Sequence, residues 1–404
     1  MQRYIGAVVL SLMFLCAVSC GSNEMPPAGA EIVTTVNGGG FTAEADSEEL
    51  KGGEMPKPDT EAENTAESGA LPQETETVGE PETETPEIEE IPPPEFGFFD
   101  AHADTITRAL LRDQELYRNN LHVDFERLYE FGAPVQVFVL WCADKYVADA
   151  FNYTNMLIDF FESELAKYDD IIEIALTLED MERNARNNKI SAVLSIEGGE
   201  ALMGDIENLE HFYNRGVRIF ALTWNRENEL GFGQATNSQN GLKPFGIEVL
   251  KRMEELGVIL DVSHLNEAGF WDAHRSSVRP YMASHSNAYS VRAHPRNLTD
   301  EQITAIAGRG GIIGLALYPL FLSSNGGADI NDIFAHIEHF IDLDAGDNLG
   351  LGGDLDGFNG MPEGFTSVSS YKMMSEEISK EFGEAVSKKI MSGNFYDFFA
   401  RYFG

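Results

Sequence analysis

Residues 245–264 read FGIEVLKRMEELGVILDVSH. Phe245–Glu255 has the pattern of a helix with one apolar face, and Gly257 stands where a left-handed C-cap belongs. Val258–Val262 is then a short apolar run of strand length, and it ends in polar residues, Asp261-Val262-Ser263-His264. Helix, glycine, strand and a polar strand end follow one another within twenty residues.

The same unit recurs outward in both directions. Strand candidates are Gly97–Ala101, Val135–Trp141, Ala192–Ile196, Arg218–Leu222, Val258–Val262, Tyr281–Ser284, Ile312–Ala316 and Leu349–Gly353. Helical patterns lie between most of them, such as Asp300–Ala307 and Ile330–Phe340, with Gly308 read as a second C-cap and Thr177–Asp180 spaced as a capping box. Strand and helix alternating over about 300 residues predict an α/β fold with a parallel sheet. Eight strands suggest closure as a (β/α)8 TIM-like barrel. An open doubly wound sheet is the alternative that periodicity leaves standing.

Three segments follow: 1–20, 21–96 and 97–404. The chain has 404 residues and a formal net charge of −39. Residues 21–96 hold 20 acids against 2 lysines, a net of −18, and runs such as Glu74-Thr75-Glu76-Thr77 and Pro92-Pro93-Pro94 show no apolar periodicity. Low hydrophobicity with high net charge cannot offset chain entropy, so this stretch reads as a disordered, extended acidic tether. The acidic balance argues against a nucleic-acid partner, which needs a basic face.

In residues 1–20, Arg3 precedes an apolar run from Ile5 to Val18, and the small residues Ala17-Val18-Ser19 precede Cys20. The run is short for a membrane span and has the form of an export signal. A cysteine at the cleavage point resembles a bacterial lipobox, with Ala17 where Leu is commoner, and this implies lipidation of Cys20 and anchoring to a membrane on the exported side. A plain signal peptide with an incidental cysteine is the other reading. Beyond the leader the only cysteine is Cys142, so the folded region cannot form a disulfide of its own.

Function in a barrel of this type sits at the C-terminal ends of the strands. Those ends read His102-Ala103-Asp104, Glu197-Gly198-Gly199, Asp261-Val262-Ser263-His264, Ser284-His285-Ser286 and Gly352-Gly353-Asp354-Leu355-Asp356. Strand alternation puts His102 and Asp104 on one face. Imidazoles and carboxylates from separate strands are what a hydrolytic metal centre needs. A single histidine at a strand end is usually structural, whereas five such ends in register are harder to dismiss. His122, His211, His274, His336 and His339 read as surface or packing residues, and His294 as a neighbour of the site.

These segments, with Pro295-Arg296-Asn297 and the closing stretch Lys389–Phe395, resemble the membrane (renal) dipeptidase family in order and spacing, including the 21 residues that separate His264 from His285. The likeness runs from about Phe98 to the end of the chain. It implies a two-zinc site, with His102 and Asp104 on one ion, His264 and His285 on the other, and Glu197 bridging them. Two close cations lower the pKa of a bridging water and stabilise the oxyanion formed at a peptide carbonyl. The resemblance also makes Arg296 the residue that takes the substrate's C-terminal carboxylate, a task suited to a guanidinium fork. It places Asp354 beside the scissile bond and the free amine, with Asp356 as the fallback if the register there differs. Family members carry a His in a Leu-Thr-His segment after the fourth strand. Here the segment reads Leu222-Thr223-Trp224-Asn225, so Trp224 and Asn225 become the substrate-binding candidates. Indole donates one hydrogen bond but cannot act as a base.

The implied activity is zinc-dependent dipeptide hydrolysis, extending to D or achiral C-terminal residues. Two rivals remain. One is a different binuclear hydrolase acting on N-acyl amino acids, lactones or phosphoesters. The other is a surface-binding lipoprotein with weakened catalysis. Relatives are commonly dimers, and nothing in the sequence marks an interface.

Overall fold

The apolar runs pair in parallel throughout. The computed structural model describes residues 92–236, 238–324 and 327–403, so the leader, Cys20 and nearly all of the acidic tether lie outside the described residues. The strands are β1 (Phe99–Ala103), β2 (Val135–Trp141), β3 (Ile172–Ile174), β4 (Ile190–Glu197), β5 (Val217–Ala221), β6 (Ile259–Asp261), β7 (Met282–Ala283), β8 (Ile312–Leu315) and β9 (Leu349–Leu351). β9 pairs with both β8 and β1, and β2 pairs with both β1 and β4, so eight strands form a closed ring. Closure excludes the open doubly wound sheet, and flanking helices complete a TIM-like (β/α)8 barrel.

Each of the eight expected strands overlaps one strand of the ring. The ninth, β3, was not expected, because three residues carry no periodicity. It pairs with Ile190–Ala192 of β4, on the edge that β5 occupies from Leu194 onward. The first strand runs Phe99–Ala103 rather than Gly97–Ala101, which carries His102 into the strand itself. Gly257 does end its helix in the left-handed conformation, at φ 76°. Gly308 does not: it is the last residue of helix Asp300–Gly308, and the left-handed turn falls at Gly310. The Thr177–Asp180 capping box forms with both bonds present.

The barrel interior is layered. Its lower part is apolar, holding Phe99, Val193, Ile219, Ile259, Met282 and Ile312. Two residues further along β4, β6 and β7 the same faces carry Ser195, Asp261 and Ser284, and two more along β4 comes Glu197. A closed ring of this size leaves room only for side chains, so polar groups entering it must find partners there.

The lower end is closed by helix Asn394–Phe403. Its Phe395, Phe398, Phe399 and Tyr402 pack with the apolar layer, and the Phe395 and Phe99 rings stack at 6.2 Å. A Cβ on Gly350 would lie 2.4 Å from the Phe395 ring, so the bare backbone of β9 admits that ring. The Tyr402 hydroxyl donates to the Val258 carbonyl at 2.9 Å, and the Asn394 amide donates to Leu349 at 2.7 Å.

Phe398 is fully buried in this floor. Phe398→Ala is expected to destabilise the protein by about 3–5 kcal/mol, measured as a shift in urea unfolding. A cost below about 1 kcal/mol would mean that the helix does not seal the barrel.

Candidate metal centre

The polar layer opens upward onto a cavity of about 590 Å³, whose lining includes Asp104, Glu197, Trp224, His264, Arg296 and Asp354. All of these but Arg296, which lies in the loop between β7 and helix Asp300–Gly308, stand at or just past a strand end. His102 is in β1, Asp104 follows it, and Glu197 is the last residue of β4. His264 lies three residues past β6, His285 two past β7, and Asp354 three past β9. Asp104 occupies the N-cap of helix Thr105–Arg112, yet its carboxylate makes no capping bond and stays free to face the cavity.

The side chains converge. Glu197 Oε1 lies 2.8 Å from His264 Nε2, 3.6 Å from His102 Nε2 and 3.7 Å from His285 Nε2, and Asp104 is 3.6 Å from His102. Three donor groups result, each within 4.8 Å: His102, Asp104 and Glu197; Glu197, His264 and His285; His102, His285 and Asp354. The first two share Glu197. His102, Glu197, His264 and His285 are all buried, and Asp354 keeps partial access to the cavity. Backbone geometry at β9 is unusual, since Asp354 and Asp356 both have positive φ, 54° and 69°.

Two observations show that this set fits a metal. His102 Nε2 is buried and makes no hydrogen bond among the described residues. His264 Nε2 and His285 Nε2 stand 2.9 Å apart, so two inward nitrogens face each other where a cation would serve both. The electrostatics agree. Burial holds Glu197 well above the usual carboxylate range, with Asp104 and Asp354 adding to the rise against the pull of His102. Burial also raises Asp354 to about 7. Burial works to lower His102, but Glu197, Asp104 and Asp354 outweigh it and hold the imidazole at about 10. Burial, reinforced by Arg296 and His102, keeps His264 and His285 well below their usual value. The cluster has more carboxylate than its imidazoles offset, a deficit that divalent cations would remove.

Arg296 is buried over Phe321, its guanidinium carbon 5.4 Å from the ring. One terminal nitrogen donates to the Ser263 carbonyl, and the other lies 2.8 Å from His285 Nε2. A cation taking that lone pair would release this N–H towards the cavity. His294 lines the cavity, and its Nδ1 accepts from the Arg296 backbone N–H at 3.2 Å.

Asp356, the fallback for Asp354, is engaged elsewhere. Its carboxylate accepts from Thr105 at 2.6 Å and from the His122 and Val123 backbone N–H groups at 2.7 and 3.3 Å. It ties the segment before helix Phe125–Tyr129 to the end of β9, while Asp354 faces the donors. Trp224 packs against Trp141 at 5.1 Å and forms one wall of the cavity. Asn225 also lines the cavity, and its Oδ1 is 3.0 Å from His264 Nδ1. Sequence reasoning did not single out Trp141, Phe321 or Tyr318, which supply the apolar lining. All three sit in ordinary apolar runs that carry no local signal.

A family model described as membrane dipeptidase (peptidase family M19) matches residues 93–400. An Acinetobacter calcoaceticus protein described as uncharacterized, in the PQQ-III 3′ region, is 30% identical over 281 residues, covering 60% of this chain and 89% of its own. A Schizosaccharomyces pombe protein described as an uncharacterized dipeptidase is 32% identical over 223 residues, covering 53% of each chain. A metallopeptidase from Rhodobacter sphaeroides, solved with a phosphinate mimic of the dipeptide L-Ala-D-Ala, shares the fold with a TM-score of 0.70 at 24% identity, over 76% of this chain and 99% of that one.

Elemental analysis of the purified protein against His264→Ala tests the centre. The variant is expected to lose bound metal and about 10²-fold or more of its activity. Full metal and full activity in His264→Ala would remove this cluster as the site.

Proposed function

The chain belongs to the membrane dipeptidases, peptidase family M19, and is a metallo-dipeptidase; we propose that it cleaves free dipeptides at a pair of zinc ions and grips the substrate by both charged ends. The observation that carries this reading is the sharing of Glu197 between two donor groups. His102 and Asp104 would complete the holding of one ion, and His264 and His285 that of the other. Bound there, two cations supply Lewis acidity at the peptide carbonyl and a water activated near neutral pH.

The chain's own residues set the substrate. Arg296 is held by the Ser263 carbonyl and the Phe321 face, and its second terminal nitrogen, now on His285 Nε2, would turn to a substrate carboxylate once a cation takes that lone pair. Asp354, beside the donors and lining the same cavity, would receive the ammonium end. Two fixed charges at opposite ends define one length of ligand. A longer or end-blocked peptide would leave a buried partner unpaired, which is costly in an enclosed site. Trp224 supplies a flat apolar wall and at most one N–H donor. Asn225, bonded to His264, reaches substrate only through that histidine or from the cavity edge. Tolerance of a D residue at the C-terminal position is supported by the ligand of the Rhodobacter sphaeroides relative.

The N-terminal segment extends the proposal. Cys20 would be the acylated residue that holds the enzyme at a membrane on the exported side, with residues 21–96 as a spacer. Among the described residues no helix is long and apolar enough to cross a membrane.

Gly-D-Ala, its C-terminal amide and Gly-D-Ala-Gly are the substrates for the first test. The free dipeptide should be strongly preferred by the native enzyme. Arg296→Ala should lower kcat/KM for it by ~30-fold or more, about 2–5 kcal/mol, and erase the preference over the amide. Similar rates on all three substrates with the native enzyme would overturn the two-ended grip. For the anchor, Cys20→Ser should move the protein from the detergent phase to the aqueous phase on partitioning; a variant that stays with membranes would place the anchor elsewhere.

A further inference from the structure

Below the metal donors lies a hydrogen-bonded knot whose centre is Ser284. Asp261 Oδ1 accepts from the Ser263 hydroxyl at 2.7 Å, the Ser263 N–H at 3.0 Å and the Ser284 N–H at 2.9 Å. Asp261 Oδ2 is left for the Ser284 hydroxyl, 2.5 Å away. A carboxylate has no proton to give, so Ser284 must donate there, and a hydroxyl has only one proton. Its remaining lone pairs face two ring nitrogens: His285 Nδ1 at 2.7 Å and His102 Nδ1 at 3.1 Å. Neither ring nitrogen can accept from a hydroxyl whose proton is already committed. Both must therefore donate, and both imidazoles carry their proton on Nδ1.

The consequence reaches the centre above. In the neutral form that a cation binds, an imidazole protonated at Nδ1 presents a bare lone pair at Nε2, and it is through Nε2 that His102 and His285 approach Glu197. His264 is set differently. Its Nδ1 lies 3.0 Å from Asn225 Oδ1, an amide on another segment. A Cβ on Gly314 of β8 or on Gly352 just past β9 would lie 1.9 or 1.7 Å from the Ser284 carbonyl, so bare backbone surrounds Ser284 on that side.

We propose that Ser284 is a positioning residue for both halves of the metal centre at once, fixing the tautomer of His102 and of His285 through one hydroxyl committed to Asp261, while Asn225 does the same for His264 alone. The inference rests on the two-cation reading above. It assigns Ser284 a property that neither ligand set has by itself: one oxygen couples the two ions, so its loss weakens both together.

The test is release of zinc from the zinc-loaded protein by increasing EDTA, with the freed ions counted. Native protein should release two ions. Ser284→Ala should release both at roughly 10- to 100-fold lower chelator, the usual cost of losing a ligand's outer partner. Asn225→Ala should shift one ion and leave the other in place. Ser284→Thr keeps the hydroxyl, adds a methyl and should hold zinc more tightly than Ser284→Ala. A purely packing role predicts the reverse order, because the larger side chain crowds the same space, and that order would overturn the proposal. Native release of both ions by Ser284→Ala, or a shift of only one, would overturn it as well. If Ser284→Ala does not fold, the single-ion shift in Asn225→Ala and the near-native behaviour of Ser284→Thr decide. Native protein that holds fewer than two ions would count against the two-cation reading itself, a different failure.

Discussion

A carboxylate buried among other carboxylates is the constraint around which this barrel is arranged. Glu197 is nearly inaccessible to solvent, close to three imidazoles and under the influence of Asp104, Asp354 and Asp261. Such a group is stable inside a protein only with compensating positive charge or a full set of donors. Most of the surrounding design serves that need. Each imidazole is tethered on its far side, Arg296 is buried nearby, and the carboxylates outside the cluster are hydrogen-bonded locally. Asp356 turns to backbone N–H groups, and Asp100 takes the Tyr371 hydroxyl and the His102 and Gly353 N–H groups. The acids are thus sorted: those with local donors are structural, and those without are left to a cation.

Much of this was legible in the sequence because a barrel turns linear order into radial placement. Once eight apolar runs are taken as strands, the residues following each run must gather at one end, whatever the helices do. That is why His102, Glu197, His264, His285 and Asp354 could be grouped without coordinates. The error in the first strand, two residues early, did not alter the grouping, since strand ends cluster within a turn or so of one another.

What could not be read is what depends on contact between strands. Nothing in Gly352-Gly353-Asp354-Leu355-Asp356 says which acid faces inward, because both have positive φ and ordinary alternation does not apply. The distinction comes from Thr105 and His122, about 230–250 residues away, which occupy Asp356. Ser284 looked like one more small residue beside a histidine. Its importance appears only when the closed ring turns β6, β7 and β1 towards one interior. β3 escaped because its three residues add an edge without changing the ring, and Gly308 misled because another glycine two residues on takes the left-handed turn.

The aromatic floor has a bearing on how the molecule comes into being. The segment that seals the barrel, Asn394–Phe403, follows every strand in the chain, and the ring itself closes only when β9 meets β1. A ribosome therefore delivers the whole set of inward-facing apolar residues before delivering their cover. Contacts between such distant parts of the chain form slowly, since a long loop must be ordered first. Until then the nascent polypeptide has strands with no finished interior. The topology that closes the finished barrel thus leaves its sealing to a segment made after all nine described strands.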